Sequence, residues 1–171
     1  MSRSPHLTPP TTGWALFTPL VAGVVVLAFL PPFVDGLARA GLMHGFSFVC
    51  HQLPERSFAI GGVQIALCHR CTGILGGMAL GLVLAPLLVR LGAEVGQVLF
   101  ARVPSRHRAA VLFLLALVPT TVDWSLGASG VWANTPASRI ATGTALGLVA
   151  GLLIGRAFLA PPARSHSLTH T

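Results

Sequence analysis

The chain has 171 residues, 53% of them hydrophobic and only 9% charged, with all 11 basic residues arginine and a formal charge of +7. Soluble domains average about 25% charged residues, so this composition, with its mean hydropathy of +0.78, excludes an ordinary soluble domain and indicates a polytopic membrane protein. The positive charge does not mark a nucleic-acid binder, because the arginines are scattered between apolar segments and form no aromatic-interleaved basic face.

A bilayer core about 30 Å thick asks for roughly 20 apolar residues per helix. Residues 1–12 are rich in Pro, Ser and Thr and read as a disordered tail. The first span covers about 14–34, with Trp14 as an interface anchor and Pro31-Pro32 stopping the helix near its far end. Ala38-Arg39-Ala40 resembles a signal-cleavage site, but the apolar core exceeds the ~7–15 residues of a signal, so the segment is read as a retained helix. Leu37, Leu42, Met43, Phe46, Phe48 and Val49 then suggest a short amphipathic segment resting on the membrane or capping the bundle.

Two tracts follow, Cys50-His51-Gln52-Leu53-Pro54-Glu55-Arg56-Ser57-Phe58 and Cys68-His69-Arg70-Cys71-Thr72-Gly73, which hold all three cysteines. Pro54 breaks any helix between them, and Gly61-Gly62 marks a turn that folds the loop back and brings Cys50 towards Cys68 and Cys71. The second span covers about 71–90, the third about 109–126 with Asp123 near its end, and the fourth about 140–160. The segment 91–108 carries Arg102, Arg106 and Arg108 and fits a stretch lying on anionic lipid, and 161–171 reads as a second disordered tail. The predicted fold is therefore all-α: a single membrane domain over 1–171, with four transmembrane helices and a re-entrant or interfacial loop between the first and second.

Glycines recur every four residues at 73, 77 and 81 in the second span and at 143, 147, 151 and 155 in the fourth. Residues four apart share a helix face, so each span offers a groove where another backbone approaches closely. The second and fourth helices are expected to pack there, and the same stripes are also a candidate homo-oligomer surface. Arginine counts orient the bundle: Arg3, Arg90, Arg102, Arg106, Arg108, Arg156 and Arg164 fall on one side, and Arg39, Arg56, Arg70 and Arg139 on the other. Seven against four favours cytoplasmic termini in a cell inner membrane and places the cysteine tracts on the outer face.

Three chemistries suit the tracts. In the first, Cys50, Cys68 and Cys71 with His51 or His69 form a tetrahedral metal site, with zinc as the expected ion. Glu55 and Asp123 are then the candidate catalytic bases. In the second, Cys68 and Cys71 exchange disulfides at a helix start that favours thiolate. That plan resembles the quinone-linked disulfide-forming membrane oxidoreductases, which use two cysteine pairs, whereas Cys50 is the single further cysteine here. In the third, Arg56, Arg70 and Arg139 recognise an anion such as a lipid phosphate. A structural disulfide from Cys50 to Cys68 or Cys71 is the plainer alternative. Asp123 in an apolar span needs a cation, and Arg139, across the short link holding Asn134, is the expected partner.

The pattern Cys50-His51-Gln52-x-Pro54-Glu55-Arg56-Ser57-Phe58, then Cys68-x-Arg70-Cys71-x-Gly73, resembles an uncharacterised family of small prokaryotic membrane proteins known as domain of unknown function 2085. Asp123, Asn134, Arg139 and Thr142-Gly143 look like its second signature, and the likeness covers about 45–150. It implies a shared site at Cys50, His51, Arg56, Ser57, Cys68, Arg70, Cys71, Asp123, Asn134, Arg139 and Thr142, without an established activity. Metal ligands at Cys50, His51, Cys68 and Cys71, with substrate contacts from Arg56, Ser57, Arg70, Asn134 and Arg139, complete the expectation. The implied partners are the lipid bilayer and a lipid or quinone ligand.

Overall fold

The structure, a computed structural model, describes residues 11–91 and 105–159. Among them are five helices: α1 (Thr11–Phe29), α2 (Gly36–Ser47), α3 (His69–Leu91), α4 (Ser105–Ala128) and α5 (Pro136–Leu159). All but α2 are long and apolar enough to cross a membrane. Large apolar side chains point outward along them, including Leu16, Leu20 and Val26 on α1, Val83 on α3 and Leu114 and Val118 on α4. In water such surface would drive aggregation, whereas in a bilayer it is the lipid-facing side. The tails and the basic stretch around Arg102 read from the sequence lie outside the described residues, at 1–10, 92–104 and 160–171.

The first span ends earlier than expected. α1 stops at Phe29, and Pro31 and Pro32 open a 3-10 turn over Pro31–Phe33. Arg39 braces this corner: its Nε donates to the carbonyls of Pro31 at 3.1 Å and Val34 at 2.9 Å, and its Nη2 pairs with Asp35 at 2.7 Å. The backbone groups freed by the break are thus satisfied locally. α2 then supplies the short segment expected after the first span.

One element adds to the all-α expectation. A hairpin pairs β1 (Ser57–Ile60) with β2 (Val63–Cys68), with Ile60 opposite Val63 and Ser57 opposite Cys68. Gly61 and Gly62 adopt φ of +58° and +80°, the doubly left-handed two-residue turn that matches strand twist. The β2 residues Ile65, Ala66 and Leu67 are buried, so the hairpin is anchored in the fold by its second strand.

The centre of the bundle is the pairing of α3 with α5, with α1 packed on α3 and α4 on α5. It follows the two glycine registers. A Cβ built on Gly73 would lie 2.5 Å from the carbonyl oxygen of Ile140, and one on Gly143 2.5 Å from that of Arg70. Cβ atoms on Gly77, Gly81, Gly147 and Gly151 would strike the carbonyls of Thr144, Leu148, Ile74 and Met78. The stripes therefore pack against each other within one chain, as expected of the second and fourth spans. Thr120 ties α4 to the same pair by donating to the carbonyl of Thr142 at 2.9 Å.

Trp14 has a different task from the interface anchor expected of it. Its indole N–H donates to the carbonyl of Leu82 at 2.8 Å. Leu82 lies four residues before Pro86 in α3, and proline has no N–H to offer that carbonyl. In a bilayer a carbonyl without a donor is costly, and a neighbouring helix supplies one.

Substitution at the glycine contact separates packing from composition. Gly147→Val should destabilise the detergent-solubilised protein by about 3 kcal/mol or prevent folding, whereas Gly76→Ala, where an added Cβ meets nothing within 4 Å, should leave the melting temperature essentially unchanged. Thermal unfolding followed by size-exclusion chromatography reads both, and equal sensitivity at the two positions would contradict the α3 and α5 contact.

Candidate metal centre

Each cysteine is delivered by a different local device. Cys50 follows the end of α2, where the N–H groups of Val49 and Cys50 both return to the carbonyl of Phe46, at 3.1 and 3.0 Å. Its side chain is 3% exposed and packs in an apolar cluster with Ala28 and Leu67. The chain then turns at Gln52, a non-glycine residue in the left-handed region at φ +50°. The Gln52 amide holds that conformation by donating to the carbonyls of Met43 at 2.8 Å and Ala66 at 3.0 Å, while Gln64 donates to the Gln52 carbonyl at 2.9 Å. Ser57, expected as a ligand contact, is buried and donates to the carbonyl of Leu53 at 2.9 Å, so its hydroxyl closes the Pro54–Arg56 turn.

Cys68 ends β2 and stands immediately before α3, in the N-cap position. Its own N–H donates to the Cys50 sulfur at 3.2 Å. The Cys68 thiol is held well below its ordinary value, chiefly by the hydrogen bond from the Cys71 side chain, helped by the helix N–H groups of Cys71 and Arg70 and opposed by burial. Cys71 occupies the first turn of α3, on the same side as Cys68.

The three sulfurs all lie within 4.8 Å of one another. Around a tetrahedral ion with metal-sulfur bonds of about 2.3 Å, sulfurs stand about 3.8 Å apart, so this cluster fits a single metal ion. The thiolate-favouring surroundings of Cys68 suit the same use, since the thiolate is the ligating form. His51 does not join the sulfurs: consecutive side chains diverge where the backbone leaves α2, and His51 is exposed on the cavity rim. His69, the other histidine considered, is buried with its ring edge-on to Phe58 at 4.6 Å and also lies outside the cluster.

The sulfurs open onto a cavity of about 530 Å³. Its lining includes the polar side chains of Arg56, Arg70, Arg139 and Asn134 and the apolar ones of Val49, Leu53 and Trp124. Four elements from distant parts of the chain therefore converge at one end of the bundle, as the sequence tracts suggested. The turn at Gln52 is not legible in the sequence, because a left-handed position held by a glutamine leaves no compositional signal of the kind that glycine does. Neither carboxylate read as a candidate base lines the cavity. Glu55 has a side chain 66% exposed, 3.9 Å from Arg56.

Asp123 is bound to Arg70, and not to Arg139 as expected. The Arg70 Nη2 donates to Asp123 Oδ2, and only 19% and 11% of the two side chains remain exposed. Arg70 reaches it because residue 70 sits in the first turn of α3, which the glycine contact presses against α5 beside α4. Asn134 closes the corner by donating to the backbone carbonyl of Asp123, and its amide fills the space that a Cβ on Gly127 would need. Asp123 thus holds an arginine in place at the cavity wall.

Removing one member of a buried ion pair strands the other charge at a cost of about 3–5 kcal/mol. Asp123→Asn and Arg70→Gln should each destabilise by that order, and the double variant by much less than their sum, as a double-mutant cycle in detergent unfolding will show.

Comparison with known proteins places these features in a family. The family model described as "Predicted membrane protein (DUF2085)" matches residues 50–153, from the first cysteine into α5. An uncharacterised protein of Methanocaldococcus jannaschii is 31% identical over 98 residues, covering 57% of this chain and 56% of that protein. An uncharacterised protein of Methanothermobacter thermautotrophicus is 30% identical over 105 residues, covering 60% of this chain and 81% of that one. The chain thus aligns with little more than half the length of the Methanocaldococcus relative. No solved structure matches. The matched region contains the three cysteines, the Arg70 and Asp123 pair, Asn134, Arg139 and the glycine contact of α3 with α5, and by that match the chain belongs to the DUF2085 family of membrane proteins.

Proposed function

We propose that this protein is a membrane metalloprotein in which Cys50, Cys68 and Cys71 hold a zinc ion at the outer end of the helix bundle, facing a cavity that receives a lipid-like substrate. The observation that carries this reading is the convergence of three sulfurs within 4.8 Å, one of them from a separate loop. Three protein ligands with a neighbouring cavity match the donor arrangement of catalytic zinc sites, where the ion polarises an oxygen held at its fourth position. Around it, Arg70 is held by Asp123, Asn134 fixes the α4 corner, and Trp124 and Leu53 add apolar lining. Hydrolysis or headgroup transfer is the reaction class that such a site suits. The cell inner membrane with cytoplasmic termini is the placement that the arginine distribution supports.

A second reading rests on the closeness of the Cys68 and Cys71 sulfurs, within 4.8 Å at the start of α3. A depressed cysteine paired with a neighbour at a helix start also suits thiol-disulfide exchange with a quinone-linked partner.

Metal analysis of the detergent-purified protein together with thiol counting decides between them. About one zinc per chain, lost in a Cys68→Ser, Cys71→Ser variant, is the expected result for a site of this donor set. Metal-free protein containing a reducible bond between Cys68 and Cys71 would replace the metal reading with the redox one. The orientation has its own check: in intact cells depleted of metal by a chelator, a membrane-impermeant maleimide should label Cys68, and labelling only after membrane disruption would reverse the topology.

A further inference from the structure

The chain has four acidic residues against its 11 arginines, and this scarcity makes the pairing of each cavity arginine informative. Arg70 is neutralised by Asp123, and Arg56 has Glu55 at 3.9 Å on the exposed side. Arg139 has no carboxylate within ion-pair distance among the described residues, yet it is half-buried and lines the cavity beside the sulfurs. Its backbone is fixed at the start of α5: the Thr135 hydroxyl accepts from the Ser138 N–H at 3.0 Å, Pro136 occupies the first helical position, and the Arg139 N–H donates to the Thr135 carbonyl at 3.2 Å. A guanidinium held partly out of water with no carboxylate to take its hydrogen bonds favours an oxygen-bearing anion from outside the chain.

The same cavity also has apolar lining. Trp124 is 60% exposed, Val49 73% and Leu53 39%. They stand at the bundle end, next to the bilayer boundary implied by the spans. An inorganic anion makes no use of such lining, whereas an amphiphile whose headgroup meets arginine and whose first carbons meet Trp124 uses both.

We propose that the cavity binds the phosphate group of a lipid, with Arg139 as its principal anchor, Arg56 assisting, and Trp124 with Leu53 receiving the start of the acyl portion. This deepens the reading above, because it rests on that cavity being the working site and specifies what enters it. Arginine forks match phosphate oxygens in pairs of parallel hydrogen bonds, and the arginine without a carboxylate partner among the described residues is the one available to make them.

The test titrates the detergent-purified full chain with lysophosphatidic acid, with monoacylglycerol of the same acyl chain, and with inorganic phosphate, following intrinsic tryptophan fluorescence. Lysophosphatidic acid should bind at least about tenfold more tightly than either comparison ligand, since one charge-assisted hydrogen-bonding pair is worth about that factor. Arg139→Gln should remove the preference for the phosphate-bearing ligand, Arg139→Lys should restore part of it, and Arg156→Gln, at the far end of α5, should leave it intact. Equal binding of monoacylglycerol would overturn the phosphate requirement, and equal binding of inorganic phosphate would overturn the lipid. Both comparisons use the unmodified protein, so they stand even where a substitution impairs folding. Zinc content measured on the same preparation keeps the two readings apart: a full metal site with no lysophosphatidic acid preference sinks this inference alone, and a metal-free protein that retains the preference sinks only the metal.

Discussion

The site depends on how closely α3 and α5 approach. In lipid there is no hydrophobic force to press two apolar helices together, so their association rests on van der Waals contact and on backbone proximity that only small residues permit. Gly73 and Gly143 are the first rungs of that contact at the site end, and Gly143 lies directly on the carbonyl of Arg70. The turn that carries Arg70 and Cys71 is thereby fixed against the turn that carries Arg139. A side chain inserted between them would move the cysteine-bearing end of α3 and the part of the cavity lined by Arg139 together.

Several backbone groups that the local chain leaves without a partner are satisfied by side chains from elsewhere in the fold. The Leu82 carbonyl, deprived of a donor by Pro86, receives the Trp14 indole. The break between α1 and α2 is closed by Arg39, and the left-handed turn after Cys50 by the Gln52 amide. These contacts follow from one constraint, that a backbone group unable to reach water must find a partner in the protein. At the site the same constraint acts on charge: Asp123, in the last part of a spanning helix, takes Arg70. With Arg70 so occupied, Arg139 is a cavity arginine without a carboxylate partner among the described residues.

The cysteine cluster is a product of loop closure. Cys68 and Cys71 belong to one helix start and would be close in any fold that keeps the helix. Cys50 arrives from the other side of a hairpin whose register sets Ser57 against Cys68 and whose turn requires two left-handed glycines. Its burial against Ala28 and Leu67 ties the third sulfur to α1 and β2, so the triad reports on the folding of the whole site end.

Much of this was legible in the amino-acid order because it is written locally. Span lengths follow from apolar runs, and the α3 and α5 contact follows from glycines repeating at the helical interval. The turn at Gly61-Gly62 and the return of Cys50 towards Cys68 follow from backbone preferences of a few adjacent residues. The strands flanking that turn were within reach too, since two residues of Gly-Gly between β-prone runs is a hairpin signal. What only the tertiary structure decided is which side chains meet. Asp123 chose Arg70, 53 positions away, over the nearer Arg139, because the rotation of each helix about its axis is set by packing. His51 stayed outside the sulfur cluster beside Cys50 because the strained turn at Gln52, held by groups from α2 and β2, sends neighbouring side chains in different directions. Periodicity along a chain specifies faces, and the partners of a face are settled when helices come to rest against one another.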